Sequence, residues 1–145
     1  MRKHALERHR LTAILAAIVL TAWAIGCSDA GSAPGETRVR PLNTMAEFDA
    51  AVAGDSEKPL VMIDFYADWC APCQVLSPLM DTLSVTYADR VAVYKVDVDK
   101  LNPVLDRFGI TAIPYVLFFK NGRPIKALPG LQPESAYRNA IRDLS

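Results

Sequence analysis

The spacing of apolar positions along this chain changes repeatedly, and each change marks an element. Leu60 to Tyr66 is a continuous apolar run interrupted only by Asp64, the composition of a strand covered on both faces. After Cys70 the apolar residues recur every three to four positions, with Leu76, Leu79, Leu83 and Tyr87 on one side, which predicts a helix. Pro78 lies inside that helix, where a missing backbone donor predicts a kink one to two turns from the start. Upstream, Met45, Phe48 and Val52 share one helical face behind Thr44-Met45-Ala46-Glu47, a capping-box pattern. A helix over residues 44–53 follows, stopped by Lys58-Pro59.

Downstream the pattern predicts a strand at 91–96, a short helix from Asn102-Pro103 to Phe108, and a strand at 115–119. Asn121-Gly122 is the dipeptide of a tight hairpin turn and leads into a strand at 125–128. A last helix from Pro133 offers Ala136, Tyr137, Ala140, Ile141 and Leu144 to the core. With a first strand at 38–42, the order is strand, helix, strand, helix, strand, helix, strand, strand, helix. That is an α/β chain with a central mixed β-sheet flanked by helices on both faces.

The first residues follow a different rule. Arg2, Lys3, Arg8, His9 and Arg10 form a basic start, Leu11 to Ile25 is apolar, and Gly26-Cys27 closes the stretch, the layout of a secretory signal. At fifteen positions the apolar part is shorter than the ~20 residues of a membrane span. Ala24-Ile25-Gly26-Cys27 resembles the bacterial lipoprotein box, with Ala24 where that pattern most often has Leu; the resemblance implies cleavage before Cys27 and lipidation of its sulfur. The chain thus divides into a lipoprotein-type signal peptide at 1–26, a flexible Ser, Gly, Pro and Glu-containing tether at 27–37, and a folded domain at 38–145.

Cleavage would remove four of the sixteen basic side chains and one of the sixteen acidic ones, leaving twelve and fifteen. A slightly acidic domain gives no basis for binding nucleic acid. Both histidines, His4 and His9, leave with the signal, which excludes Cys–His catalysis and any zinc site built on imidazole.

The chemistry concentrates in Trp69-Cys70-Ala71-Pro72-Cys73. Two thiols one helical turn apart, directly after a strand and at the start of a helix, can open and close a disulfide. The unpaired N–H groups of the helix start make Cys70 the more acidic and the more exposed thiol. Zinc binding and a static disulfide are the alternatives. Zinc needs four ligands, and Cys27 is the only further thiol; a crosslink closing so short a loop adds little stability. Asp64 is the second unusual feature, since a carboxylate within an apolar strand must be protonated or partnered.

From Leu60 to its C-terminus the chain resembles the thioredoxin family. The resemblance rests on Asp64, Trp69-Cys70-Ala71-Pro72-Cys73, Pro78, Lys95, Ile113-Pro114 and Gly130, all at that family's spacing. It implies a thioredoxin fold and a redox-active Cys70–Cys73 pair, with Cys70 attacking a substrate disulfide and Cys73 resolving the mixed disulfide. It further implies that Asp64 transfers a proton with Lys95 as its partner, and that Pro114 is cis. Trp69, Ala112, Ile113 and Gly130 would form an apolar rim for protein substrates, with Ala71 and Pro72 in the active-site loop. Ala71, Gln74, Tyr66 and Tyr115 depart from the commonest pattern, where Gly, a basic residue, Trp and Thr are frequent. The first two bear on redox poise and Tyr115 on partner choice.

Together these features predict a monomeric thiol–disulfide oxidoreductase without cofactor or metal, reducing disulfide-containing proteins in an extracytoplasmic space, the bacterial periplasm, and anchored to the membrane through Cys27. Its electrons would come from a membrane thiol transporter. A disulfide oxidase or isomerase is the rival within the same chemistry, and a redox-inert binding module the rival outside it.

Overall fold

In the computed structural model, which describes residues 36–54 and 60–145, the elements run β1 (Arg40–Pro41), α1 (Met45–Ala53), β2 (Leu60–Tyr66), α2 (Ala71–Thr86), β3 (Val91–Asp97), α3 (Pro103–Phe108), β4 (Tyr115–Lys120), β5 (Arg123–Pro129) and α4 (Glu134–Leu144). The predicted elements all appear in the predicted order. Cys27, the signal segment and the Lys58-Pro59 stop lie outside the described residues. Helix α1 already ends at Ala53, where Gly54 adopts a φ of +83°.

The strand order is β1-β3-β2-β4-β5. β1, β3 and β2 run parallel, because a helix crosses over between consecutive members; β4 runs antiparallel to β2, and β5 to β4. The apolar run at 60–66 occupies the centre of this sheet, where both faces are covered. Residues Leu60 to Phe65 are all buried.

Two apolar layers result. On one face Phe48 and Val52 of α1 and Val104 of α3 pack against Val61, Ile63, Phe65, Leu117 and Phe119; on the other, Leu76, Met80 and Leu83 of α2 and Tyr137, Ala140 and Ile141 of α4 pack against Leu60, Met62, Val93, Val116 and Phe118. Phe48 is the hub of its layer, with ring centroids of Phe65, Phe108 and Phe119 at 6.3, 5.5 and 5.9 Å. The helical spacing predicted this division, with small shifts. Leu79, Tyr87 and Leu144 are only half-buried, while Met80 and Ser84 are buried. Ser84 is tolerated there because its hydroxyl donates to the Asp81 carbonyl and accepts from the Arg38 N–H.

Local capping also follows the sequence, with two corrections. Thr44 Oγ1 accepts from the Glu47 N–H at 3.1 Å, but the Glu47 carboxylate reaches back to the N–H of Asn43 and not to that of Thr44. Asn102 makes no side-chain cap, since its backbone is already helical where a capping residue is extended. Asn121 and Gly122 both take positive φ, 52° and 75°, which fits the twist of the β4–β5 hairpin. That hairpin is longer than predicted, because pairing extends to Arg123 and Pro129, polar or turn-forming residues without an apolar signal. Replacing Thr44 with alanine removes one donor's partner from the α1 start and is expected to cost about 1 kcal/mol in urea unfolding, with no change in redox activity.

Candidate active site

The cysteines sit where β2 hands over to α2. Ala67 is buried under the connection, Cys70 is the N-cap residue of α2 with extended backbone, and Ala71-Pro72 are its first helical residues. Pro72 fits this position because a helix start has no use for its missing N–H. Cys70 and Cys73 are joined in a disulfide, with Sγ atoms 2.04 Å apart and Cα atoms 5.2 Å apart. The N–H of Cys73 donates to Cys70 Sγ at 3.2 Å, so the capping acceptor of the helix is the sulfur itself. When the bond opens, that donor and the positive end of α2 face the Cys70 sulfur and favour its thiolate. Both residues are buried, Cys70 at 4% and Cys73 at 2% relative exposure, so the disulfide form hides the predicted difference in access between them.

Around the sulfurs the loops are set by hydrogen bonds. Trp69 is 70% exposed, and its indole N–H donates to Asp99 Oδ2 at 2.8 Å. Gln74 donates through its amide to the Asp68 carbonyl at 2.7 Å and so ties the first turn of α2 to the preceding loop. Sequence reasoning missed both contacts. Asp99 belongs to an acidic Asp97-Val98-Asp99 stretch that begins on the last residue of β3, and the only signal was its place at the carboxyl end of a parallel strand, where sites gather in α/β sheets.

Ile113-Pro114 is a cis peptide bond, and Pro114 is buried. The Pro114 carbonyl accepts from the Gly130 N–H at 2.8 Å, which joins the loop before β4 to the loop after β5. Gly130 has a φ of +69°, a conformation costly for residues with a Cβ. Trp69, Ala112 and Ile113 line one cavity of about 400 Å3 together with Val98, Asp99 and Leu105. Gly130 lies outside that cavity and reaches the group only through Pro114.

Asp64 is only 5% exposed, and its Oδ1 has no hydrogen-bond partner. Burial raises its pKa from 3.8 to about 7, against a smaller lowering by the charge of Lys95. Lys95 is the register neighbour of Asp64 on β3. Its ammonium stands 5.5 Å over the Tyr66 ring, and the interaction with the carboxyl is through space, without a hydrogen bond. The result is a carboxyl group poised to exchange a proton near neutral pH within the same strand–helix unit as the disulfide.

The thioredoxin family model matches residues 39–143. A thioredoxin of Alicyclobacillus acidocaldarius subsp. acidocaldarius is 40% identical over 101 residues, 70% of this chain and 93% of that protein. The crystal structure of a Malassezia sympodialis thioredoxin superposes with a TM-score of 0.68 at 35% identity, covering 75% of this chain and 92% of that one. A chain solved in work on the thiol-resolving mechanism of yeast mitochondrial 1-Cys peroxiredoxin via glutathione and thioredoxin systems gives a TM-score of 0.67 at 28% identity, over 75% of this chain and 100% of its own length.

Proposed function

This chain belongs to the thioredoxin family, and from that premise we propose that it is a membrane-anchored, extracytoplasmic member that reduces disulfides in other proteins. Thiol–disulfide exchange is the chemistry of the family, and disulfide-containing proteins are its substrates. The observation that carries the reading is the Cys70–Cys73 disulfide capping α2 beside the exposed Trp69.

In this scheme the reduced enzyme attacks with the Cys70 thiolate. A new bond forms between Cys70 Sγ and one substrate sulfur, and the other substrate sulfur leaves as a thiolate that takes up a proton. The Cys73 thiol then passes its proton toward Asp64 and attacks Cys70 Sγ. The second substrate sulfur departs, and the Cys70–Cys73 bond closes with two electrons delivered to the substrate. Lys95 favours the ionised form of Asp64 that can accept this proton. Trp69, Ala112 and Ile113 offer apolar contact to the substrate chain, and the Pro114 segment offers it backbone edge. In an extracytoplasmic space the disulfide must be reopened from across the membrane, and a membrane thiol transporter is the electron donor proposed.

Two measurements test this. Equilibration of Cys70/Cys73 with glutathione or a reference thioredoxin is expected to give a reduction potential near the roughly −270 mV of a reducing thioredoxin; a value near the roughly −120 mV of a strong oxidase overturns the direction of electron flow. For the anchor, Cys27→Ala is expected to abolish incorporation of a labelled fatty acid and to release the domain from the membrane fraction. Equal label in both proteins rules out lipidation at Cys27.

A further inference from the structure

The outer face of α4 and the turn after α2 enclose a cavity of about 460 Å3 with no aliphatic apolar residue in its lining. Arg90, Arg138 and Arg142 all face it, along with Tyr87, Ser135 and Asn139, and Asp89 is the one acid among them. Arg138 and Arg142 are one helical turn apart, an arrangement in which like charges repel. Each guanidinium has a local counter-charge. Arg138 donates to Glu134 at 2.5 Å and to the Tyr87 hydroxyl at 3.2 Å, Arg142 to Asp143 at 3.1 Å, and Arg90 lies 3.8 Å from Asp89. These pairs are all substantially solvent-exposed, the kind that adds little stability and exchanges readily for a better anion. Phosphate, which guanidinium groups bind in a bidentate manner, is such an anion.

The position of this cavity matters as much as its chemistry. Thr37 Oγ1 donates to Asp81 Oδ1 at 2.5 Å, and the Arg38 N–H donates to Ser84 Oγ at 3.0 Å, so the chain enters the domain along the C-terminal third of α2. Thr86 lines both the groove holding Thr37 and the arginine cavity. The disulfide lies at the other end of α2, which at sixteen residues is about 24 Å long. Lys120, whose ammonium donates to the Leu144 carbonyl, and Arg123, its register neighbour, add cations at the end of the sheet by the C-terminus of α4. Asp68, Asp97 and Asp99 instead surround the dithiol end. Thr37 lies ten positions after Cys27, a reach of at most about 35 Å.

We propose that the arginine-lined cavity beside the tether entry docks the phosphate groups of anionic phospholipids and holds the domain with its dithiol facing away from the bilayer. The proposal rests on the reading of the N-terminal segment as the anchor. Guanidinium groups that can exchange exposed carboxylate partners for lipid phosphate, at the end of α2 remote from Asp68, Asp97 and Asp99, fit the field of an anionic leaflet. The docked orientation presents the exposed Trp69 beside the disulfide to soluble clients, and the domain undocks and turns on its tether to meet the membrane electron donor.

Full chain incorporated into vesicles of phosphatidylcholine, with or without phosphatidylglycerol, tests this by amide hydrogen exchange read by mass spectrometry. Exchange in segments 87–90 and 134–144 is expected to slow severalfold with phosphatidylglycerol and to stay unchanged at 69–75. Arg142→Gln is expected to weaken the slowing, and Arg138→Gln with Arg142→Gln to abolish it, while both variants keep wild-type insulin reduction as a check on folding. Protection independent of phosphatidylglycerol, in a chain that stays with the vesicles, overturns the docking and leaves the anchor standing. A chain recovered in the soluble fraction overturns the anchor and the docking with it. Inorganic phosphate reproducing the effect on phosphatidylcholine vesicles identifies a soluble anion site and overturns the membrane assignment.

Discussion

Cys70→Ser is expected to reduce insulin-disulfide reduction, followed as precipitation with dithiothreitol as electron source, to the rate of dithiothreitol alone. A serine hydroxyl is not ionised at neutral pH and cannot form the mixed disulfide, so the first step is lost outright. Cys73→Ser should fail differently. Its Cys70 still attacks, but nothing resolves the product, and covalent complexes with client proteins accumulate that dithiothreitol releases. Trapping from whole-cell extract would then name the clients. If Cys70→Ser kept substantial activity, the assignment of attack to the N-cap sulfur would be wrong. If instead Cys73→Ser turned over normally, the resolving role would be wrong.

Asp64→Ala is expected to stabilise the fold at alkaline pH and to slow the enzyme. The folded carboxyl has a pKa of about 7, raised by burial from 3.8. Between those values the native state holds a proton that the unfolded chain releases. The stability tied to this proton is therefore fully present below pH 3.8 and is lost as pH rises through 7. A gap of about three pH units corresponds to roughly 4 kcal/mol. Urea unfolding at pH 4 and at pH 9 should show the difference between Asp64→Ala and wild type growing by an amount of that order in the mutant's favour. A difference flat with pH would mean that Asp64 is solvated or paired in the folded state. Disulfide exchange near pH 7 should fall by up to about two orders of magnitude, the range of a lost general acid–base. The gain in stability and loss in rate from one substitution is the signature of a buried group kept for chemistry.

The Asp64 pairing shows where sequence information stopped. A lone acid in an apolar strand was visible, and so was Lys95 at the family's spacing, but the conformation of the lysine was not. In the fold its ammonium lies over Tyr66, and Asp64 Oδ1 is left without a hydrogen bond. Trp69 is similar. Its place beside Cys70 was legible, yet its indole is held by Asp99, thirty positions further along the chain. Such contacts depend on which loops the sheet brings together at the carboxyl ends of β2 and β3, a non-local property that no local pattern encodes.

By itself the sequence determined the elements, their order, the helix start that holds the two thiols, and the two-sided burial of the central strand. Those features follow from periodicity, capping residues and turn dipeptides, which act over a few positions. Only the tertiary structure decided that Cys70 Sγ is the helix cap, that the carbonyl of Pro114, cis as the family resemblance implied, holds the Gly130 N–H, and that Thr37 and Arg38 lie against the end of α2 opposite the dithiol. Each of these depends on packing between segments far apart in the chain, where position is set by the register of the sheet and the burial of the two apolar layers.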